Sequence, residues 1–84
     1  MQKLVYYADS QRHLVCSPYS VENLHRMAED LGIKRCWFHK NHYDIPKRKI
    51  SFVRDIAKKV TSRQILEIIQ SIGEWVSYLP VTEG

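Results

Sequence analysis

The segment from Ser20 to Gly32 constrains the fold most. Val21, Leu24, Ala28 and Leu31 recur at steps of three, four and three, which is one face of a helix. Ser20 supplies an N-cap, and Glu22 lies in the first turn, where the macrodipole favours an acid and Arg26 is one turn away. Gly32 is the expected stop. The runs on either side have β character. Leu4-Val5-Tyr6-Tyr7 and His13-Leu14-Val15-Cys16 are short aliphatic and aromatic stretches separated by the turn signal Asp9-Ser10-Gln11, so they are predicted to form a hairpin. Ile33–Phe38 is predicted as a strand parallel to an earlier one, completing a β-α-β unit.

The remainder repeats the alternation. Residues 39–45 read as a polar connection, and Pro46 is placed for the first turn of a second helix with Ile50, Val53, Ile56 and Ala57 on its buried face. Lys58–Thr61 has room only for a very short strand. Thr61-Ser62-Arg63-Gln64 matches a capping box, and Ile65, Ile68, Ile69 and Ile72 form the stripe of a third helix. Gly73 weakens or ends that helix, 74–79 restart it, and Pro80 stops it. The predicted class is α/β or α+β: a small sheet of three or four strands with an N-terminal hairpin, flanked by three helices. Residues 1–80 are expected to form a single domain, with 81–84 as a loose tail.

Composition narrows the class further. With 84 residues there is enough chain for one core, and 44% apolar with 26% charged residues excludes a disordered chain. No apolar run is long enough to span a bilayer. The N-terminus turns polar too soon for a secretory signal, so a cytoplasmic protein is expected, with Cys16 and Cys36 as free thiols. Charge is concentrated. Residues 34–63 hold ten Lys and Arg against Asp44 and Asp55, a local excess of +8 in a chain of net charge +4. A basic middle between acidic ends is suited to phosphates or to an acidic protein surface, although a solvated basic face has the same composition.

Ligands of open α/β sheets prefer the carboxyl ends of parallel strands. Two predicted loops qualify, His39–Asp44 and Thr61–Arg63. His42 is the candidate general base or acid, Asp44 its orienting group or a metal ligand, and Thr61, Ser62 and Arg63 a phosphate-binding helix start. Lys47, Arg48 and Lys49 join the phosphate- or partner-binding set, because cations in the first turn of a helix oppose its dipole unless an anion binds there. Cys36, His39, His42 and Asp44 are a crowd of metal-ligand types, but no C-x-x-C or H-x-x-x-H spacing is present. No cofactor is therefore expected, a divalent metal being the alternative. His25 reads as a helix-boundary residue, His13 as cross-strand packing and Asp9 as an organiser of its own turn. Trp37, Trp75 and Tyr78 are candidate interface anchors.

Several of these residues form an ordered set: His13-Leu14-Val15, Glu22-Asn23-Leu24-His25, Leu31-Gly32-Ile33, His42-Tyr43-Asp44-Ile45-Pro46 and Val60-Thr61-Ser62-Arg63. The set resembles a family of short phage and bacterial proteins catalogued as a domain of unknown function, over roughly residues 4–70. The His-Tyr-Asp-Ile-Pro element is its most specific part. The resemblance implies Asp9, His13, His25, His42, Tyr43, Asp44 and Arg63 as the family's polar set. Ser17-Pro18-Tyr19-Ser20 stands where relatives often carry an Asp; were that Asp catalytic or a ligand, this chain would bind without turnover. Asp9 and the His42 loop share a sheet edge only if the third strand runs parallel to the first.

The function expected is a small phage-type binding protein that engages a phosphate-bearing ligand or an acidic surface through its basic middle and inhibits a host nucleic-acid or defence complex. The alternative is a metal-assisted phosphoesterase, nuclease-like or nucleotide-binding enzyme using His42, Asp44 and Arg63.

Overall fold

The computed structural model describes residues 3–70. The hairpin forms as predicted: β1 (Val5–Ala8) pairs antiparallel with β2 (His13–Ser17), with Tyr7 opposite Val15 and Ala8 opposite Leu14. Helix α1 (Val21–Leu31) begins at Ser20, whose hydroxyl accepts from Asn23 N, and ends at Gly32. Gly32 has φ +72°, and its N–H reaches back to the carbonyls of Ala28 and Glu29, a left-handed cap suited to glycine.

The next segment departs from expectation. Arg35–Trp37 is a 3₁₀ turn rather than part of a strand, and only Phe38–His39 (β3) is extended. Lys34, Arg35, Cys36 and Trp37 all face solvent, so the run offers no alternating buried face to hold it in a sheet. The predicted polar connection is itself a hairpin arm. Strand β4 (His42–Asp44) pairs antiparallel with β3, Phe38 opposite Tyr43, and with β2, His13 opposite Asp44. Lys40, at φ 56°, makes the turn between β3 and β4.

Pro46 precedes a second 3₁₀ turn, Lys47–Lys49, which stands where the first turn of the helix was expected, and helix α2 (Ile50–Ile56) starts only after it. Strand β5 (Lys58–Lys59) lies parallel to β1, Tyr7 opposite Lys58. Helix α3 (Ser62–Ile69) has the predicted capping box: Gln64 N donates to Thr61 Oγ1, and Thr61 N donates to Gln64 Oε1. Ile72, the predicted restart over 74–79, Trp75, Tyr78 and the 81–84 tail lie outside the described residues.

The sheet order is β3-β4-β2-β1-β5, a mixed α/β arrangement in which β4, from the predicted connection, raises the expected three or four strands to five. Because β2 is antiparallel to both neighbours, β4 runs parallel to β1, as does β5. The parallel crossover is thus β4-α2-β5, not the unit predicted through residues 33–38. The alternation of strand side chains divides the core between two faces. Tyr6, Ala8, Leu14, Cys16 and Tyr43 share the α1 face, where Tyr6 Oη donates to Asp30 and Tyr43 Oη meets His25. Leu24, Met27, Ala28 and Leu31 complete the buried cluster on that side. Tyr7, Val15 and His13 share the other face, which α3 covers through Ile65 and Ile68. Among the described residues no helix is long and apolar enough to cross a membrane.

Candidate functional site

The site lies where β1 and β4 end and β2 begins. Asp9 follows β1, and its carboxylate is 1% exposed. Oδ1 accepts from the backbone N–H groups of Gln11 and His13, both at 2.9 Å, which is the turn-organising role read from sequence. Oδ2 is equally occupied: His13 Nδ1 lies at 2.8 Å, and Ser62 Oγ donates at 2.7 Å from the start of α3. Burial alone would raise the Asp9 pKa, but the hydrogen bonds from Ser62 and His13 outweigh it and hold the carboxyl below the usual aspartate value.

His13 stands directly opposite Asp44 in the β2–β4 register, and His42 precedes Asp44 by two residues, so all three side chains leave one face of the sheet. The His13 and His42 rings meet edge-on with centroids 4.8 Å apart. His42 Nε2 is 3.3 Å from Asp44 Oδ1, and its Nδ1 is 2.8 Å from the side-chain oxygen of Asn41. One potential ligand atom from each of His13, His42 and Asp44 lies within 4.8 Å of the others. Burial is the main cause that lowers the His42 pKa, and the neighbouring His13 adds to it; Asp44 opposes both. The ring is therefore held toward its neutral form, the one that accepts protons or binds metals.

The structure divides the predicted polar set. Asp9, His13, His42 and Asp44 come together, joined by Ser62. Tyr43 leaves the opposite face of β4, where its hydroxyl is 2.7 Å from His25 Nδ1 and both rings pack on Phe38. His25 and Tyr43 thus form a separate pair under α1. Among the proposed metal ligands, His39 is exposed with its ring 5.5 Å from His42, and Cys36 lies exposed in the 3₁₀ turn before β3.

The basic candidates are distributed along the same edge without closing over it. Arg63 is 89% exposed at its side chain, with Glu67 3.9 Å away. Lys47 and Arg48 are exposed in the turn after β4. Lys49 instead lies with its ammonium over the Phe52 ring, 5.3 Å from the centroid, and beside the Gly32 cap. A cation there complements the C-terminal end of α1. Thr61 is engaged in its capping box and Ser62 with Asp9.

Ser62, a member of the expected phosphate-binding helix start, reaches Asp9 across 53 residues, a contact no local pattern signals. Asn41 is the one contributor the sequence does not single out: it lies in the stretch that reads as a polar connection, although His-x-Asp spacing on a strand puts His42 and Asp44 on one face. The departure at Ser17–Ser20 begins at the far end of β2, roughly 13 Å from His13 by strand rise, so it leaves this cluster intact.

No curated protein and no solved structure matches the chain. The sequence model of one family matches residues 6–72, a span that includes every residue of the cluster. On that match the chain belongs to the family described as protein of unknown function (DUF4031).

Proposed function

We propose that this chain binds a phosphate-bearing ligand, nucleic acid foremost, at the sheet edge where β1, β4 and β5 end. One observation carries the reading: three mutually parallel strands end beside a His/Asp cluster, and each segment leaving that edge carries an arginine. Arg12 precedes His13 and accepts a backbone bond from Ile45 N, Lys47 and Arg48 follow β4, and Arg63 follows β5. Carboxyl ends of parallel strands are the usual ligand edge of such sheets. Cations around an imidazole–carboxylate cluster suit a polyanion whose backbone lies on the basic residues and passes beside His13 and His42. Inhibition of a host complex would follow from occupying its nucleic acid. A second reading, phosphoester hydrolysis, is favoured by His42 and Asp44 being in contact, with His42 as base or a metal ion at Asp44.

The test is fluorescence anisotropy with labelled single- and double-stranded RNA and DNA over a salt series. Three or four phosphate contacts predict a log–log salt slope of about −2 to −4. Reversing Arg12, Arg48 or Arg63 to Glu should each flatten that slope by about one. Cleavage, if seen, should vanish with His42→Ala while binding persists. A chain that binds no nucleic acid at 20–50 mM salt refutes the phosphate reading for nucleic acids and leaves an acidic protein surface as the ligand of the basic middle.

A further inference from the structure

We infer that His13, His42 and Asp44 form a site for one divalent first-row transition-metal ion, with Asp9 and Asn41 as the groups that orient the two imidazoles. The inference rests on hydrogen-bond chemistry and is independent of any phosphate ligand.

An imidazole in its neutral form carries one N–H. His42 faces two acceptors: Asn41 Oδ1 at Nδ1 and Asp44 Oδ1 at Nε2. One proton cannot serve both. If Nδ1–H donates to Asn41 at 2.8 Å, the shorter contact, then the Nε2 lone pair points at a carboxylate oxygen. Two lone-pair donors facing each other repel, and a cation between them removes the conflict. His13 repeats the arrangement. Its Nδ1 is 2.8 Å from the buried carboxylate of Asp9, which fixes the proton on Nδ1 and leaves Nε2 as its lone-pair atom. A carboxylate or amide oxygen behind each imidazole is the usual outer shell of a metal-binding histidine.

The spacing agrees. Two metal–ligand bonds of about 2.0–2.1 Å meeting at a tetrahedral angle hold their donor atoms about 3.3–3.4 Å apart. His42 Nε2 and Asp44 Oδ1 are 3.3 Å apart. With the three donor groups spread over 4.8 Å, His13 has to move on the order of an ångström to close the set. Its side chain is 36% exposed and has room to do so. Two imidazoles and one carboxylate suit Zn²⁺, Co²⁺ or Fe²⁺ better than Mg²⁺ or Ca²⁺, which prefer all-oxygen sets. Three protein ligands leave a fourth position for water or an anionic oxygen. In this arrangement His42 is a ligand, and the base of any hydrolytic step is the metal-bound water.

The experiment is titration of the full, chelator-stripped chain with Zn²⁺ by calorimetry and with Co²⁺ by visible absorption. One ion per chain is expected, with tetrahedral-type Co²⁺ bands. His13→Ala and His42→Ala should each weaken binding at least 100-fold, and His39→Ala should leave it unchanged. Asp9→Asn should weaken it 10- to 100-fold, as outer-shell changes do. Imidazole ¹⁵N shifts of the metal-free wild type need no variant: Nδ1–H on both His13 and His42 is expected, and Asp9→Asn should move His13 to Nε2–H. The inference is overturned by the absence of saturable binding up to millimolar ion, by binding that survives His42→Ala, by loss on His39→Ala, or by an Nε2–H tautomer on His42 in the metal-free chain.

Discussion

Replacing Asp9 by Ala and, separately, by Asn isolates what ties the two ends of the described chain together. The carboxylate accepts four hydrogen bonds, two from backbone N–H groups and one each from His13 and Ser62. Bonds to a charged acceptor are worth roughly 1.5–3 kcal/mol each, but the amides of exposed Gln11 and half-buried His13 can take a water in the space the side chain vacates. Discounting them leaves about 3–4 kcal/mol for Asp9→Ala. Asn retains the Oδ1 acceptor for both amides. On the other side its new N–H₂ donates to a rotated Ser62 hydroxyl and to Nδ1 of an Nε2–H imidazole. That substitution forfeits charge assistance and little else, about 1–1.5 kcal/mol. At 4–8 °C per kcal/mol for a domain of this size, the midpoints should fall by about 15–25 °C and about 5–10 °C. Urea unfolding followed by circular dichroism, with an unchanged m-value, reads the two numbers. Equal losses for Ala and Asn would refute the argument, since the charge rather than the acceptor geometry would then matter. A loss below about 1 kcal/mol for Ala would refute it outright.

Other consequences of the structure are as direct. The Asp9 pKa is lowered on folding, so its contribution is present above the ordinary aspartate value near 4 and disappears as pH falls through the lower native value; wild type should lose more stability than Asp9→Asn on acidification below about pH 4. The fully buried Cys16 thiol is pushed by burial up to about 11 from an ordinary 9, so stability is intact below pH 9 and falls between pH 9 and 11, by on the order of 3 kcal/mol at most. Cys16→Ala should flatten that alkaline limb, and a limb unchanged in the variant would assign it elsewhere. Tyr43→Phe removes the partner of His25 from a fully buried site and should cost about 1–2 kcal/mol without altering the affinity for Zn²⁺, because the pair lies on the opposite face of β4. Thr61→Ala breaks the capping box and should cost about 1 kcal/mol, measured by thermal melting.

Local chemistry was legible where one segment carried its own instructions. Ser20 and Gly32 bound α1, Thr61 and Gln64 open α3, and the Asp9 turn joins β1 to β2, because caps and turns satisfy backbone groups only a few residues away. Residues 33–38 misled for the converse reason. Between buried Ile33 and Phe38, which pairs with Tyr43, residues 34–37 face solvent, and propensity gives way where nothing buries the face. The pairing that does form joins β4 to β3 by a tight local turn but to β2 through partners far apart in the chain, His13 with Asp44 and Leu14 with Tyr43.

The candidate site divides along the same line. Side-chain chemistry already names the candidates: His42 two residues from Asp44, His13 beside a turn aspartate, and a strongly basic middle. Folding is what brings Asp9, His13, His42, Asp44 and Ser62 together and puts His25 and Tyr43 elsewhere. That outcome hangs on the direction of one strand. With β4 parallel to β1, its carboxyl end reaches the Asp9 turn; the opposite direction would place the same residues at the other edge of the sheet. Strand direction is settled by the hydrogen bonding and burial of the whole sheet, and no local segment encodes it.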